Sequence, residues 1–220
     1  MVDSDFGLCA ACWRETPFIT GVVCEACGVP LPGLADGHRL ECDACMAHPR
    51  AWHRGRAALR YEAVARKLVL ALKHGDRQEI ARPAGKWMAQ AALPMIRSDM
   101  IVAPVPLHWS RLLRRRYNQS ALLSAQVAKR LNLTHCPDLL TRVKRTQSLD
   151  RKPHDVRMEE LTDAIQPHPR HRALIAGRPV LLIDDVMTSG ATLTASTQAC
   201  AQAGSDEICT VVLARVTKAD

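Results

Sequence analysis

Val180-Leu-Leu-Ile183 runs without a polar residue into Asp184-Asp185, and Val186, Met187, Thr188, Ser189, Gly190, Ala191 and Thr192 follow. An all-apolar run that stops on acidic residues reads as a strand covered on both faces, as in a parallel α/β sheet. Thr188-Ser189-Gly190 then reads as a loop, and Ala191-Thr192 as the start of a helix. A loop that feeds a helix N-terminus offers backbone N–H groups to a phosphate. Gly190 permits close backbone approach, and the flanking hydroxyls can donate to phosphate oxygens. Two carboxylates beside such a cradle would repel a bare phosphate. They suit a ligand that also carries vicinal hydroxyls, with a metal ion between the charges, and ribose 5-phosphate meets both conditions. The loop is not a Walker A element, because no Gly-Lys-Ser/Thr follows.

This stretch resembles the PRPP (5-phosphoribosyl 1-pyrophosphate) motif of type I phosphoribosyltransferases. The resemblance implies that Asp184 and Asp185 are the catalytic pair and hold the ribose hydroxyls. It implies that Thr188, Ser189, Gly190, Ala191 and Thr192 wrap the 5-phosphate, and that Mg²⁺ accompanies PRPP.

The chain has 220 residues, room for one α/β domain and a small appendage. Aromatics make up 4%, too few for an extended base-stacking surface. No apolar run is long enough for a transmembrane helix. Met-Val-Asp-Ser-Asp at the start has neither the basic nor the apolar region of a secretory signal, so a cytoplasmic location is expected. The net charge of +8 points to an anionic partner, either nucleic acid or a polyphosphate substrate.

Six of the nine cysteines fall in the first 45 residues as C-x-x-C pairs: Cys9/Cys12, Cys24/Cys27 and Cys42/Cys45. In a reducing compartment such pairs read as metal ligands rather than disulfides. The last two pairs give C-x2-C-x14-C-x2-C, a zinc-ribbon spacing, so Cys24, Cys27, Cys42 and Cys45 are expected to hold a structural Zn²⁺. Cys9 and Cys12 are left over. They could join His38, His48 or His53 at a second site, displace one of the chosen pairs, be the remnant of a second ribbon, or be free thiols. Cys136, Cys200 and Cys209 stand alone and read as buried thiols.

Beyond a head that ends near His53, strands and helices alternate. We expect a strand over 56–61, helices over 61–73 and 79–95, and a strand over 100–106. A helix should follow from about Asn118 to Leu131, then a short strand over 139–144. The strand at 180–185, its helix over 190–203 and a last strand over 208–216 complete the pattern. Residues 145–171 are polar and proline-bearing and read as a long loop or hood. The expected fold class is α/β: a parallel-sheet, type I phosphoribosyltransferase-like core over 54–220, with a small zinc-ribbon domain over 1–53.

Arg111, Arg114, Arg115 and Arg116 follow the strand that ends at Val105-Pro106. Ligands of open α/β sheets bind beyond the carboxyl ends of strands, so this cluster should face the crevice of Asp184 and Asp185. Guanidinium groups clamp phosphates, which makes Arg115 and Arg116 candidates for the pyrophosphate. Arg142, Lys144, Arg145, Arg151, Lys152 and Arg157 lie in or beside the hood and either close over the pyrophosphate or are solvated. Lys73 and His74 end a helix, where the macrodipole alone favours cations, so no catalytic role is expected of them.

Taken together, the chain resembles the ComF/GntX family of bacterial proteins. The residues that carry this are Cys24-x-x-Cys27-Gly28-x-Pro30-Leu31, Leu72-Lys73-His74-Gly75, Val105-Pro106-Leu107, Arg115-Arg116-Tyr117-Asn118-Gln119, Thr146-Gln147-Ser148-Leu149 and the Asp184–Gly190 stretch. The resemblance implies a zinc ribbon on a phosphoribosyltransferase fold and, for some members, a link to DNA uptake. Single-stranded DNA and the DNA-uptake machinery are the partners it suggests. The chain departs from the pattern in two places. A fourth C-x-x-C pair is missing, and Glu160 stands where relatives carry an asparagine after a hood arginine, here Arg157. Thr188 in place of an acidic residue disfavours purine salvage. Three functional readings stay open: a phosphoribosyltransferase with an unknown acceptor, a DNA-uptake accessory regulated by PRPP, and a nucleic-acid binder on a catalytically dead fold.

Overall fold

The computed structural model describes residues 7–34, 37–74, 77–144 and 163–217. The head carries two short helices, α1 (Ala10–Glu15) and α2 (Asp43–Ala47). Then come β1 (Arg54–Arg60), α3 (Ala63–His74), α4 (Ala81–Ala92), β2 (Ile101–Pro104), α5 (Trp109–Arg115), α6 (Gln119–Leu131), β3 (Thr134–His135) and β4 (Leu140–Arg142). Next come β5 (Ile165–Pro167), within the stretch expected to be a hood, then α7 (Arg172–Ile175), β6 (Val180–Met187), α8 (Ala191–Gln202) and β7 (Ile208–Arg215).

Five strands form one parallel sheet in the order β1-β7-β6-β2-β3, and β4 pairs antiparallel with β5. The central strands are apolar throughout because both faces are covered. On one face Leu181, Ile183, Val211 and Leu213 pack with α3, α4 and α6. On the other, Val180, Leu182 and Val212 pack with α8, β4, β5 and the head's Cys24, Cys27, Cys45 and Trp52. The cysteine cluster therefore sits in the same core as the sheet.

The expected strands and helices are present with ends moved by a few residues. α4 is shorter than the 79–95 expectation, because a tight 3-10 turn flanks it on each side. Part of the stretch before Asn118 is itself helical, as α5, which ends at Arg116 in a left-handed conformation. β3, β5 and α7 were not anticipated. They are two to four residues long, too short to show a period. The hood residues Arg145, Thr146–Leu149, Arg151, Lys152, Arg157 and Glu160, and the helix-stop Gly75, lie outside the described residues.

In this strand order the chain leaves β2 toward β3 and leaves β6 toward β7, in opposite directions across the sheet. The carboxyl ends of β2 and β6 thus flank a topological switch point, where open α/β sheets form their ligand crevice.

Candidate functional site

Asp184 and Asp185 lie near the carboxyl end of β6, paired in register with β7. Four residues after the left-handed Arg116 build their surroundings. The Tyr117 hydroxyl donates to the Leu72 carbonyl at 2.6 Å, which ties down the end of α3. Asn118 caps α6 by accepting from the Ser120 N–H, and its Nδ2 donates to the Val105 carbonyl beyond β2. Gln119 Nε2 donates to Asp185 Oδ2 at 2.8 Å, and Ser120 Oγ to Asp184 Oδ1 at 2.9 Å. Each residue of Tyr117-Asn118-Gln119-Ser120 reaches a different point on the crevice wall. Lys73, at the end of α3, places Nζ 3.1 Å from Asp185 Oδ1.

The electrostatics are those of an under-neutralised anionic pair. Burial, then the neighbouring Asp185 charge, pushes the Asp184 carboxyl up to about 7, while hydrogen bonds from the Asp185 N–H and Ser120 only partly oppose this. Burial works against the Lys73 ammonium, but Asp185 outweighs it and raises the lysine above its ordinary value. Two carboxylates face one cation. Gln119 Oε1 is buried with no hydrogen-bond partner, and its residue is 3% exposed. Because Nε2 is committed to a carboxylate, the orphan atom is an acceptor awaiting a donor.

Thr188, Ser189 and Gly190 follow β6, and Ala191 and Thr192 open α8. Arg215 Nη1 donates to the carbonyls of Met187, Thr188 and Val216 at 3.1, 2.7 and 2.6 Å. Arg50 Nη1 donates to the Ser189 carbonyl at 2.7 Å. With consecutive carbonyls drawn toward guanidiniums, the loop's peptide dipoles are oriented around a helix N-terminus, an arrangement suited to an anion. Gly190 has φ 87°, and a Cβ there would meet Trp52 Cη2 at 2.9 Å. The head is therefore in contact with the loop.

Within the head, the sulfurs of Cys24, Cys27, Cys42 and Cys45 lie within 4.8 Å of one another. Cys27 and Cys42 Sγ are 3.7 Å apart, close to the edge of a tetrahedron built on Zn–S bonds of about 2.3 Å. Shared hydrogen bonding with Cys27 pushes the Cys24 thiol down to about 4, and the same contact pushes Cys27 up, so one proton is shared between the two sulfurs. This donor set fits a structural Zn²⁺. Arg50 Nε donates to Cys45 Sγ at 3.2 Å, so one side chain spans the cysteine cluster and the loop. Glu25, between the first two cysteines, pairs with Arg54 and Arg56 of β1 and anchors the head to the sheet edge.

Cys9 stands at the N-terminal boundary of α1 without a side-chain capping bond, and Cys9 and Cys12 hydrogen-bond each other. Among the described residues they join no group of three or more metal-type ligands. His53 is engaged elsewhere, accepting the Ile208 N–H. Cys200 and Cys209 are buried thiols, as expected. Arg116 is exposed, and the side chains of Arg111, Arg114 and Arg115 lie outside the description. Lys73, to which no catalytic role was assigned, is part of the site, as are Gln119 and Ser120. The helix-end macrodipole was a sufficient reason for a lysine at 73, so its distant carboxylate left no local trace.

Residues 1–46 match the double zinc ribbon domain, and residues 118–219 match the phosphoribosyl transferase domain. DNA utilization protein YhgH of Salmonella typhi is 30% identical over 86% of this chain and 82% of its own length. Competence protein F of Haemophilus influenzae is 27% identical over 95% of this chain and 90% of its own. Among solved structures, the glutamine PRPP amidotransferase of B. subtilis, complexed with ADP and GMP, aligns with a TM-score of 0.44 at 13% identity. That alignment covers 66% of this chain and 30% of the amidotransferase. Among the described residues, no helix is long and apolar enough to cross a membrane.

Proposed function

The chain belongs to the ComF family, with a zinc ribbon ahead of a phosphoribosyltransferase domain, and from that premise we propose that its crevice binds PRPP with Mg²⁺ in the service of DNA uptake or utilisation in the cytoplasm. The names of the YhgH and competence protein F relatives support the DNA context. The under-neutralised carboxylate pair beside the dipole-lined loop carries the ligand reading. Asp184 and Asp185 take the ribose hydroxyls, residues 188–192 take the 5-phosphate, and Arg115 and Arg116 take the pyrophosphate. The residues fit a magnesium ion: two carboxylates with one lysine leave a net negative charge, and Gln119 Oε1 can accept from a metal-bound water. Bound there, the ion would offset the charge of the pyrophosphate. Lys73 and Gln119 hold the Asp185 carboxylate in place, and Ser120 holds that of Asp184. In the head, Cys24, Cys27, Cys42 and Cys45 are the zinc ligands. We put the functional boundary between ribbon and transferase near residue 53.

Transfer would break the ribose C1–pyrophosphate bond and join C1 to an acceptor nucleophile, and pyrophosphate would leave with the bonding electrons. Calorimetry with PRPP and with ribose 5-phosphate, each with Mg²⁺, tests the site. Asp185→Asn should weaken both ligands by about tenfold or more, on the order of 1.4 kcal/mol, because both present ring hydroxyls. Arg115→Ala should weaken PRPP alone. Equal losses for both ligands in Arg115→Ala would move the pyrophosphate clamp elsewhere, and absence of PRPP binding would refute the reading. A PRPP-dependent screen for pyrophosphate release, across nucleobases, nucleotides and single-stranded DNA, then separates an enzyme from a PRPP-regulated accessory.

A further inference from the structure

Cys136, Cys200 and Cys209 are all buried, but their surroundings differ. Cys200 has an apolar setting, and Cys209 meets one carboxylate, Glu207, at 3.6 Å. Cys136 Sγ lies 3.7 Å from Asp138 Oδ1, and Asp138 Oδ2 lies 3.1 Å from His171 Nε2. One ligand atom from each of the three falls within 4.8 Å of the others. We propose that Cys136, Asp138 and His171 form a second metal site, holding a zinc-class divalent ion at the foot of the β4–β5 hairpin.

The spacing suits the chemistry. For a tetrahedral zinc with Zn–S of about 2.3 Å and Zn–O or Zn–N of about 2.1 Å, neighbouring ligand atoms stand roughly 3.4–3.6 Å apart. The two short contacts use different oxygens of Asp138, Oδ1 toward Cys136 and Oδ2 toward His171, and one atom from each of the three residues falls within 4.8 Å of the others, so small side-chain rotations bring the set to that range. Thiolate and imidazole select a borderline or soft ion over Mg²⁺ or Ca²⁺. Charge also balances: one thiolate and one carboxylate neutralise a divalent ion, with the imidazole neutral. On binding, the Cys136 thiol releases its proton and His171 Nε2 supplies a lone pair in place of its contact with Asp138 Oδ2.

The two ligating turns are already fixed to each other. Cys136 N–H donates to the Val102 carbonyl of β2, His168 N–H to the Leu139 carbonyl, and His171 N–H to the His168 carbonyl. The ion would therefore join the turn before β4 to the turn after β5, at the Leu140–Pro167 end of the hairpin. His168 lies beside His171, with ring centroids 5.3 Å apart, but is not a ligand in this arrangement. Its Nδ1 is engaged in accepting the Arg170 N–H. The fourth position falls to water.

The test is zinc content of the full chain by elemental analysis after equilibrium dialysis against Zn²⁺. Cys136→Ser and His171→Ala should each hold one ion per chain fewer than wild type, and Cys200→Ser should match wild type. In the Co²⁺-loaded protein, Cys136→Ser should lose part of the thiolate-to-cobalt charge-transfer absorption. His171 is partly exposed, so His171→Ala keeps the test sound if the buried cysteine variant misfolds. Wild-type zinc content in His171→Ala, or an unchanged cobalt spectrum in a folded Cys136→Ser, would overturn the proposal.

Discussion

Asp184 and Asp185 are neighbours in sequence with unequal surroundings. Asp185 has Lys73 and Gln119, whereas Asp184 has a hydroxyl and a backbone N–H. Burial and the adjacent charge push the Asp184 carboxyl up to about 7, above its unfolded value near 3.8. Between about pH 4 and 7 the folded chain therefore binds more protons at this site than the unfolded chain, and the site's contribution to stability falls as pH rises across that window. Above about pH 7 both states are ionised and the contribution is flat. Asp184→Asn removes the slope. Urea melts should find the variant more stable than wild type at pH 8 by about 1–3 kcal/mol, with the difference shrinking toward pH 4. Ligand affinity should move the other way: PRPP binding by wild type should tighten as pH rises through 7, where Asp184 ionises. A wild-type-to-variant difference that does not vary with pH would show that Asp184 is ionised throughout.

The loop between β6 and α8 depends on elements far from it in sequence. Arg215 comes from β7 and Arg50 from the head, 139 residues from Ser189. Arg50 also contacts Cys45 and lies 5.7 Å from the Trp52 ring, so cysteine cluster, indole and loop form one chain of contacts. If zinc fixes Cys45, it fixes Arg50 and with it the Ser189 carbonyl. Arg50→Ala should keep its zinc yet weaken PRPP by about 1–2 kcal/mol, from loss of a charged hydrogen bond that orients the loop. Cys42→Ser should lose zinc and also speed hydrogen exchange at residues 188–192. Exchange at that loop that ignores zinc loss would uncouple the two. None of this was legible beforehand, because sequence spacing reports contacts along a chain and not across a fold. What was legible followed from burial and local chemistry. The run 180–183 could only be a doubly covered strand, residues 64, 65, 68, 69 and 72 could only line one helix face, and the cysteine spacing fixed a four-sulfur cluster. The site's supporting residues escaped because Lys73 already had a local explanation, while Gln119 and Ser120 reach β6 across 66 and 64 residues.

On the scale of the whole molecule, the core sets how the head and crevice can cooperate. Cys24, Cys27, Cys45 and Trp52 pack in the same cluster as Val180, Leu182 and Ala191, so the head completes one face of the sheet. A strand sheet covered on both faces leaves the +8 charge to the outer surface and the crevice rim. Single-stranded DNA should bind through its backbone, by Arg111, Arg114, Arg115 and Arg116 with the hood cations, and 4% aromatics are too few to stack a long run of bases. Four phosphate contacts on a single strand give a slope of about −3 in a plot of log affinity against log salt. Replacing all four arginines by alanine should reduce the steepness of the slope by about 3 and leave only the share of the hood cations. Because Arg115 and Arg116 are also assigned to pyrophosphate, saturating Mg²⁺ and PRPP should displace the DNA. A fluorescence-anisotropy titration across salt, with and without PRPP, reads both effects. Binding that keeps its salt slope in the four-arginine variant and ignores PRPP would move the DNA surface away from the crevice, with the zinc head next to be tested.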